Sequence, residues 1–294
     1  MYMVYDIGGT FVKYAYVDRT GEAVNSGKFE TPYVDAETLI KQIVAVAKTY
    51  TGVQGLAISC PGTIDVQTGV VYHGGALKYL HEVNMKQRLS EALHLPVSIE
   101  NDAKCAALAE LWKGSVKNHL NSVVLVIGTG VGGAIIINGA LYRGAHLEAG
   151  EQSYVMDRYD VQTNKATFVG ETCSASLTVK EIAETVGLEA HDGEGVFRYL
   201  NAGHREALQI FDRFCHHLAA QIINLQYVVD PEIFAIGGGI SVQPLFIERL
   251  RKAIAEILTQ NPHHVAKPKL TTCHFRSQAN VYGALYQHLL EYQS

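Results

Sequence analysis

The chain has 294 residues, of which 48% are hydrophobic and 18% charged, and its formal net charge is −5. Those fractions exclude a disordered or fibrous chain, and the length suits two lobes of about 100–200 residues each. A mildly acidic balance with no basic stripe lacks the footprint of a nucleic-acid binder. Five scattered cysteines (Cys60, Cys105, Cys173, Cys215 and Cys273) form no CxxC pair. An odd count without that spacing reads as reduced thiols, not a disulfide scaffold or a zinc cluster. Asp6 interrupts the first apolar run too early for a signal peptide, and no run of about 18 apolar residues follows. The expectation is a cytoplasmic protein with neither a membrane nor a nucleic-acid partner.

In chain order, an apolar run at 2–5 leads into Asp6-Ile7-Gly8-Gly9-Thr10, and FVKYAYV follows at 11–17. Two strand-like runs around a Gly-Gly pair predict a hairpin. Residues 36–49 place apolar side chains at helical spacing. Residues 55–59 predict a buried strand closed by Pro61-Gly62. Residues 84–94 predict a helix and 96–99 a short strand. Glu100-Asn101-Asp102 follows, then an Ala-rich helix to about residue 113. The alternation predicts an α/β fold around a central sheet. Residues 114–122 read as a connection between lobes. A second strand–glycine turn–strand unit then follows at 123–137, a weak internal repeat of 2–17. Further on, 204–228 predicts a long helix stopped by Pro231, and 232–236 a strand ending in Gly237-Gly238-Gly239. Residues 244–259 and 280–291 are further helix candidates.

Three glycine turns thus each follow an apolar strand. A glycine turn lets a ligand approach the main chain, and its exposed amides can bind phosphate oxygens. No GxxxxGK[ST] P-loop is present. GTGVGG at 128–133 matches G-x-G-x-x-G by letter, but Ala-Ile-Ile-Ile follows it, which favours a strand. A dinucleotide fingerprint needs a helix there, so NAD is not expected.

DIGGT at 6–10, ENDA at 100–103, GTGVGG at 128–133, AGE at 149–151 and GGGI at 237–240 resemble, in order and spacing, the ROK family of sugar kinases. The resemblance implies a two-lobed actin-like ATPase fold of the hexokinase type, with the active site in the cleft. It divides the chain into an N-terminal lobe, 1–117, and a C-terminal lobe, 118–294, with the last helix a candidate to pack back on the first lobe. It further implies that Gly8, Gly9 and Thr10 face the ATP phosphates and that Asp6 holds Mg²⁺ through water. Gly128, Thr129, Gly130, Gly132 and Gly133 match the second phosphate loop, and Gly237, Gly238 and Gly239 the adenosine motif. Asp102 matches the general base and Asn101 a sugar ligand. As residues, Asn101-Asp102 could equally cap the helix that follows them.

Glu151 stands at the family's sugar-binding glutamate, and Tyr154 where a histidine is usual. That histidine and three cysteines downstream hold a structural zinc in most members, whereas residues 157–170 here contain no cysteine. Phenol is a poor zinc ligand, so no structural zinc is expected, and the loop 155–170 replaces the zinc segment. Glu171 matches a further sugar contact. Within the family the chain resembles the zinc-free bacterial β-glucoside kinase type, also at 60–77 and 237–247, which places Gly62 and Gly75 near the sugar. The implied activity is ATP-dependent phosphorylation of the 6-hydroxyl of a glucosyl unit, in cellobiose-like β-glucosides or glucose, by a homodimer. The alternatives are another hexose or amino sugar such as fructose, mannose or N-acetylmannosamine, or a sugar-sensing regulator. Regulators carry a helix-turn-helix ahead of this body, and here DIGGT begins at residue 6.

Overall fold

The structure, a computed structural model, describes residues 1–260, 263 and 265–293. The chain divides into two compact units. Unit 1 comprises Met1–Lys117, Arg143–Glu148 and Ser277–Ser294, and unit 2 comprises Asn118–Tyr142 and Ala149–Arg276.

Unit 1 is built on strands β1 (Tyr2–Ile7), β2 (Phe11–Val17), β3 (Ala23–Glu30), β4 (Leu56–Cys60) and β8 (Val97–Asn101), in the order β3-β2-β1-β4-β8. β1, β2 and β3 pair antiparallel, while β1, β4 and β8 run parallel. Both faces are covered, which explains the continuous apolar runs. Met3, Tyr5 and Ile7 point to the face that packs α1 (Ala36–Ala47) and α2 (Met85–Leu93). Tyr2 and Val4 point to the other, with Cys105 of α3 (Asp102–Trp112) and Ala284 and Leu285 of α9 (Ala279–Tyr292). Each fully buried Leu or Ile contributes about 1.5–3 kcal/mol. A small sheet of β5 (Thr63–Asp65), β6 (Val70–Tyr72) and β7 (Val83–Asn84) follows β4.

Unit 2 repeats the plan. Its strands β9 (Ser122–Ile127), β10 (Val131–Ile137), β11 (Ala140–Tyr142), β14 (Ile233–Gly237) and β15 (Leu270–Thr272) are ordered β11-β10-β9-β14-β15. Again three pair antiparallel and three run parallel. The recurrence of strand–glycine turn–strand in the sequence is therefore a recurrence of sheet topology. Its core joins the sheet to α5 (Ala175–Val186), α6 (Gly193–Asn201), α7 (Arg205–Val229) and α8 (Pro244–Thr259). α7 ends at Asp230 in the left-handed region (φ 49°), just before Pro231.

The long elements fall close to their expected spans. The last helix lies in unit 1, with α9 packed against α3, and the chain departs from the expected division at residues 143–148, which join unit 1, where Arg143 pairs with Glu100. Residues 155–170 are also more ordered than a loop. They hold a hairpin, β12 (Met156–Asp160) and β13 (Lys165–Phe168), and the start of the short helix α4 (Val169–Thr172). Asp157 fixes the hairpin to α7, accepting from Gln221 (3.1 Å) and meeting His217 Nδ1 (3.1 Å). The sequence did not suggest this hairpin because its strands are short, polar and largely exposed.

Candidate active site

In unit 1 the first glycine turn joins β1 to β2. Three successive carbonyls of this turn are engaged by residues that follow β3. Thr31 Oγ1 donates to the Gly8 carbonyl (2.7 Å), the Tyr33 hydroxyl to that of Gly9, and the Thr31 amide to that of Thr10 (3.0 Å). Asp6 closes β1. Its Oδ1 accepts from Ser59 Oγ of β4 (3.0 Å) and from Asn280 Nδ2 of α9 (2.9 Å). One carboxylate oxygen is thus held by two donors from different elements.

β8 and α3 meet at Asn101-Asp102. Asn101 is the N-cap, its backbone extended (φ −63°, ψ 145°), and its Oδ1 accepts the Lys104 amide at 3.0 Å. Such a cap is worth about 1 kcal/mol. Its Nδ2 donates to the Gly62 carbonyl at 2.9 Å, which ties the helix start to the end of β4. Asp102 is the first helical residue, and its Oδ1 accepts the Ala103 amide (2.8 Å). Capping and presentation of Asp102 are therefore divided between the two side chains. Gly62 requires glycine: its φ is +104°, and a Cβ would lie 2.9 Å from the carbonyls of Tyr72 and His73.

The electrostatics concentrate negative charge here. Burial pushes the Cys60 thiol far up, and the charges of Asp102 and Asp6 push it further. Burial also raises Cys105, followed by Glu100, Asp6 and Asp102. Asp6 and Asp102 thus lie within electrostatic reach of both buried thiols, and Glu100 of Cys105. Glu100 is raised by its own burial, while the Arg143 guanidinium and the Asn101 amide hold it down.

In unit 2 the second glycine turn joins β9 to β10. Ser174, the N-cap of α5, donates its hydroxyl to the Thr129 carbonyl (2.7 Å), and the Ser176 amide donates to the Gly128 carbonyl (3.2 Å). Ser153 Oγ accepts the Val131 amide (2.9 Å) and donates to the Val131 carbonyl (3.2 Å), which ties the Glu151–Tyr154 turn to the strand leaving the loop. The Val169 amide donates to the Val155 carbonyl (2.9 Å), so α4 and its Glu171 lie against that turn. Tyr154 is exposed, at 75%. Glu151, Tyr154 and Glu171 thus share one corner of unit 2, whereas Gly62, Gly75, Asn101 and Asp102 belong to unit 1.

The third glycine turn follows β14. Gly238 has φ +91°, and a Cβ there would meet the Ile127 carbonyl oxygen at 2.0 Å. This is the close approach that joins the second and third turns. Beside them lies a cavity of about 460 Å³, lined by Gly128, Gly239, Ser176, His191, Glu194 and Phe197 among others. A Cβ at Gly128 or Gly239 would meet nothing within 4 Å, so both glycines leave open space at the cavity. α6, which supplies Glu194 and Phe197, has no clear signal in the sequence. Its first turn carries two glycines, which weaken helix propensity, and only the Asp192 cap (2.7 Å to the Gly195 amide) marks its start.

Among the described residues, no group of three or more His, Cys, Asp or Glu side chains is arranged to hold a metal ion, and no helix is long and apolar enough to cross a membrane.

The ROK family model matches residues 2–289. A β-glucoside kinase of Listeria innocua is 32% identical over 295 residues, covering 98% of this chain and 97% of that protein. One of Klebsiella pneumoniae is 33% identical over 254 residues, covering 85% and 86%. A ROK family protein from Streptococcus pneumoniae, solved in complex with sucrose, superposes with a TM-score of 0.89 at 32% identity over 98% of each chain. With a match along nearly its whole length and the same sheet order in both units, the chain belongs to the ROK family and has the actin-like ATPase fold of its sugar kinases.

Proposed function

We propose that this protein, an ATP-dependent carbohydrate kinase, phosphorylates the 6-hydroxyl of a glucosyl unit, in a β-glucoside such as cellobiose or in glucose, with Asp102 as general base. The observation that carries the reading is the mounting of Asp102. It is the first residue of α3, beside an Asn101 whose two side-chain polar atoms are both engaged. Phosphoryl transfer is accelerated chiefly by positioning and charge neutralisation, so a fixed carboxylate that aligns the hydroxyl and takes its proton suits the reaction. Asn101 would hold a neighbouring sugar hydroxyl, and Gly62, Gly75, Glu151, Tyr154 and Glu171 would supply further sugar contacts.

The nucleotide fits the residues of unit 2. The cavity beside Gly128 and Gly239 has room where side chains would otherwise stand, and Phe197 gives an apolar wall for a base. The amides of Gly128–Gly133 and Gly237–Gly239 would approach the phosphates and the nucleoside. In unit 1, Gly8, Gly9 and Thr10 would face the polyphosphate. Asp6 fits a Mg²⁺ site: its Oδ1 is already oriented by two donors, and the absence of an all-protein cage among the described residues suits an ion that keeps water and phosphate ligands. Mg²⁺ there would neutralise phosphate charge. Tyr154 in place of a metal ligand supports a kinase without structural zinc, which metal analysis of the purified protein checks. The family resemblance adds a homodimer, which light scattering checks.

The test is a coupled ADP-release assay on cellobiose, gentiobiose, glucose, fructose, mannose and N-acetylmannosamine, with the phosphorylated position read by NMR. The expected outcome is the highest kcat/KM on a β-glucoside or glucose and phosphate on O6. A clear preference for N-acetylmannosamine or fructose, or phosphate elsewhere, would overturn the acceptor reading.

A further inference from the structure

Glu100 immediately precedes the Asn101-Asp102 pair and is 1% exposed. Its Oε1 accepts the amide of Asn101 at 2.8 Å. Its Oε2 accepts Nε and Nη2 of Arg143 at 2.9 and 2.6 Å. The same Nη2 donates to Gln287 Oε1 of α9 at 2.8 Å. Arg143 opens the segment Arg143–Glu148, which belongs to unit 1 although the residues on either side belong to unit 2. At the other end of the segment, Glu148 Oε1 accepts from Thr63 Oγ1 at 2.6 Å. Thr63 follows Gly62, whose carbonyl accepts from Asn101. A closed circuit therefore runs from Glu100 through Arg143, the segment, Glu148, Thr63 and Gly62 back to Asn101.

Stability alone does not account for the buried pair. Desolvating a carboxylate and a guanidinium commonly cancels their attraction, and well-packed apolar residues would serve as well. Here burial raises the Glu100 carboxyl against the pull of Arg143, so holding the charge carries a cost. What the charge accomplishes is directional: a carboxylate locked by a forked donor fixes the Asn101 amide, and the next peptide carries Asp102.

We propose that Arg143 and Glu100 are positioning residues that set the orientation of Asp102, with the segment 143–148 as their mount. This rests on the reading of Asp102 as base and deepens it. Neither residue is among the sugar contacts proposed above, so loss of the pair lowers turnover without a matching loss of binding.

The experiment is Arg143→Ala in the full-length enzyme, with steady-state kinetics in both substrates and added guanidinium ion as a rescue agent. The expected result is a fall in kcat of about 10–100-fold with both KM values within about threefold of wild type. Guanidinium should restore kcat by about fivefold or more, since Arg143 is partly exposed and its vacated place can take the free ion, while sodium chloride at the same ionic strength should not. A kcat within about twofold of wild type overturns the proposal, as does a fall that guanidinium leaves unchanged or one matched by a rise in KM. If Arg143→Ala does not fold, Gln287→Leu removes only one acceptor of the guanidinium. It should lower kcat by about threefold with KM unchanged, and an unchanged kcat overturns the proposal. Asp102→Asn run in parallel separates the two layers: if it stays active the base reading fails, whereas an inactive Asp102→Asn beside a fully active Arg143→Ala removes the positioning role alone.

Discussion

Asn280, in the first turn of the last helix, donates its side-chain amide to Asp6 Oδ1 at 2.9 Å across 274 positions of sequence. Ser59 Oγ reaches the same oxygen at 3.0 Å, so the carboxylate is fixed in rotation and Oδ2 is the oxygen left to turn toward a ligand. Partners behind a metal-facing group typically contribute about 10–100-fold to metal affinity or activity. Asn280→Ala should therefore raise the Mg²⁺ concentration needed for half-maximal rate by about tenfold while the sugar KM stays level. Titrating Mg²⁺ at saturating ATP and sugar measures this; an unchanged requirement removes Asn280 from the site.

Asp102→Asn keeps the size of the side chain and can still accept the Ala103 amide, so α3 should form as before. It cannot take a proton from the sugar hydroxyl. Turnover should fall by about 10²–10⁴-fold. Sugar binding, followed by calorimetry, and the circular dichroism spectrum should match wild type. Near-normal turnover in this variant would remove Asp102 from its role.

His288 of α9 is 1% exposed, bonded through Nδ1 to Ser98 Oγ (3.0 Å) and edged by Tyr2. Burial lowers its pKa from 6.5 to about 4, against the charge of Glu291 and with that of Lys86. The folded protein therefore holds the neutral ring where an unfolded chain would take up a proton. The contribution is complete above pH 6.5 and is lost as pH falls toward about 4. A shift of that size corresponds to about 3 kcal/mol. Urea unfolding at several pH values should show a steeper acid loss in wild type than in His288→Gln. The variant should be less stable at neutral pH and flatter below it. Parallel slopes would show that His288 does not titrate as described.

Gly283 lets α9 lie directly on α3: a Cβ there would meet the Cys105 carbonyl oxygen at 1.7 Å. Backbone cannot yield as a side-chain end does, so Gly283→Ala must push the helices apart. Overpacking of this kind costs about 1–3 kcal/mol or more. Because α9 carries Asn280 and Gln287, the displacement should also raise the Mg²⁺ requirement. Thermal unfolding and the Mg²⁺ titration read the two effects. A variant as stable as wild type would contradict the close contact.

The glycine turns, the strands that enter them and the Asn101-Asp102 junction were legible from the residues, because their signals are local. A strand that stops at glycines, or a cap followed by an alanine-rich helix, is written within a few positions and depends on backbone sterics and short-range hydrogen bonds. The hairpin at 156–168 and α6 escaped that reading because their patterns are polar or glycine-weakened, and their packing against the rest of unit 2 overrides weak propensity.

The bends of the chain, the short segments that bear carboxylates and amides, and the family they mark are all written between near neighbours. Which side chains stand behind those groups depends on the fold: Asn280 and Ser59 on Asp6, Arg143 and Gln287 around Glu100, Ser174 under Thr129. Those partners are far apart in the chain. Their meeting depends on the order of strands in each sheet and the face each helix buries, which no local spacing encodes.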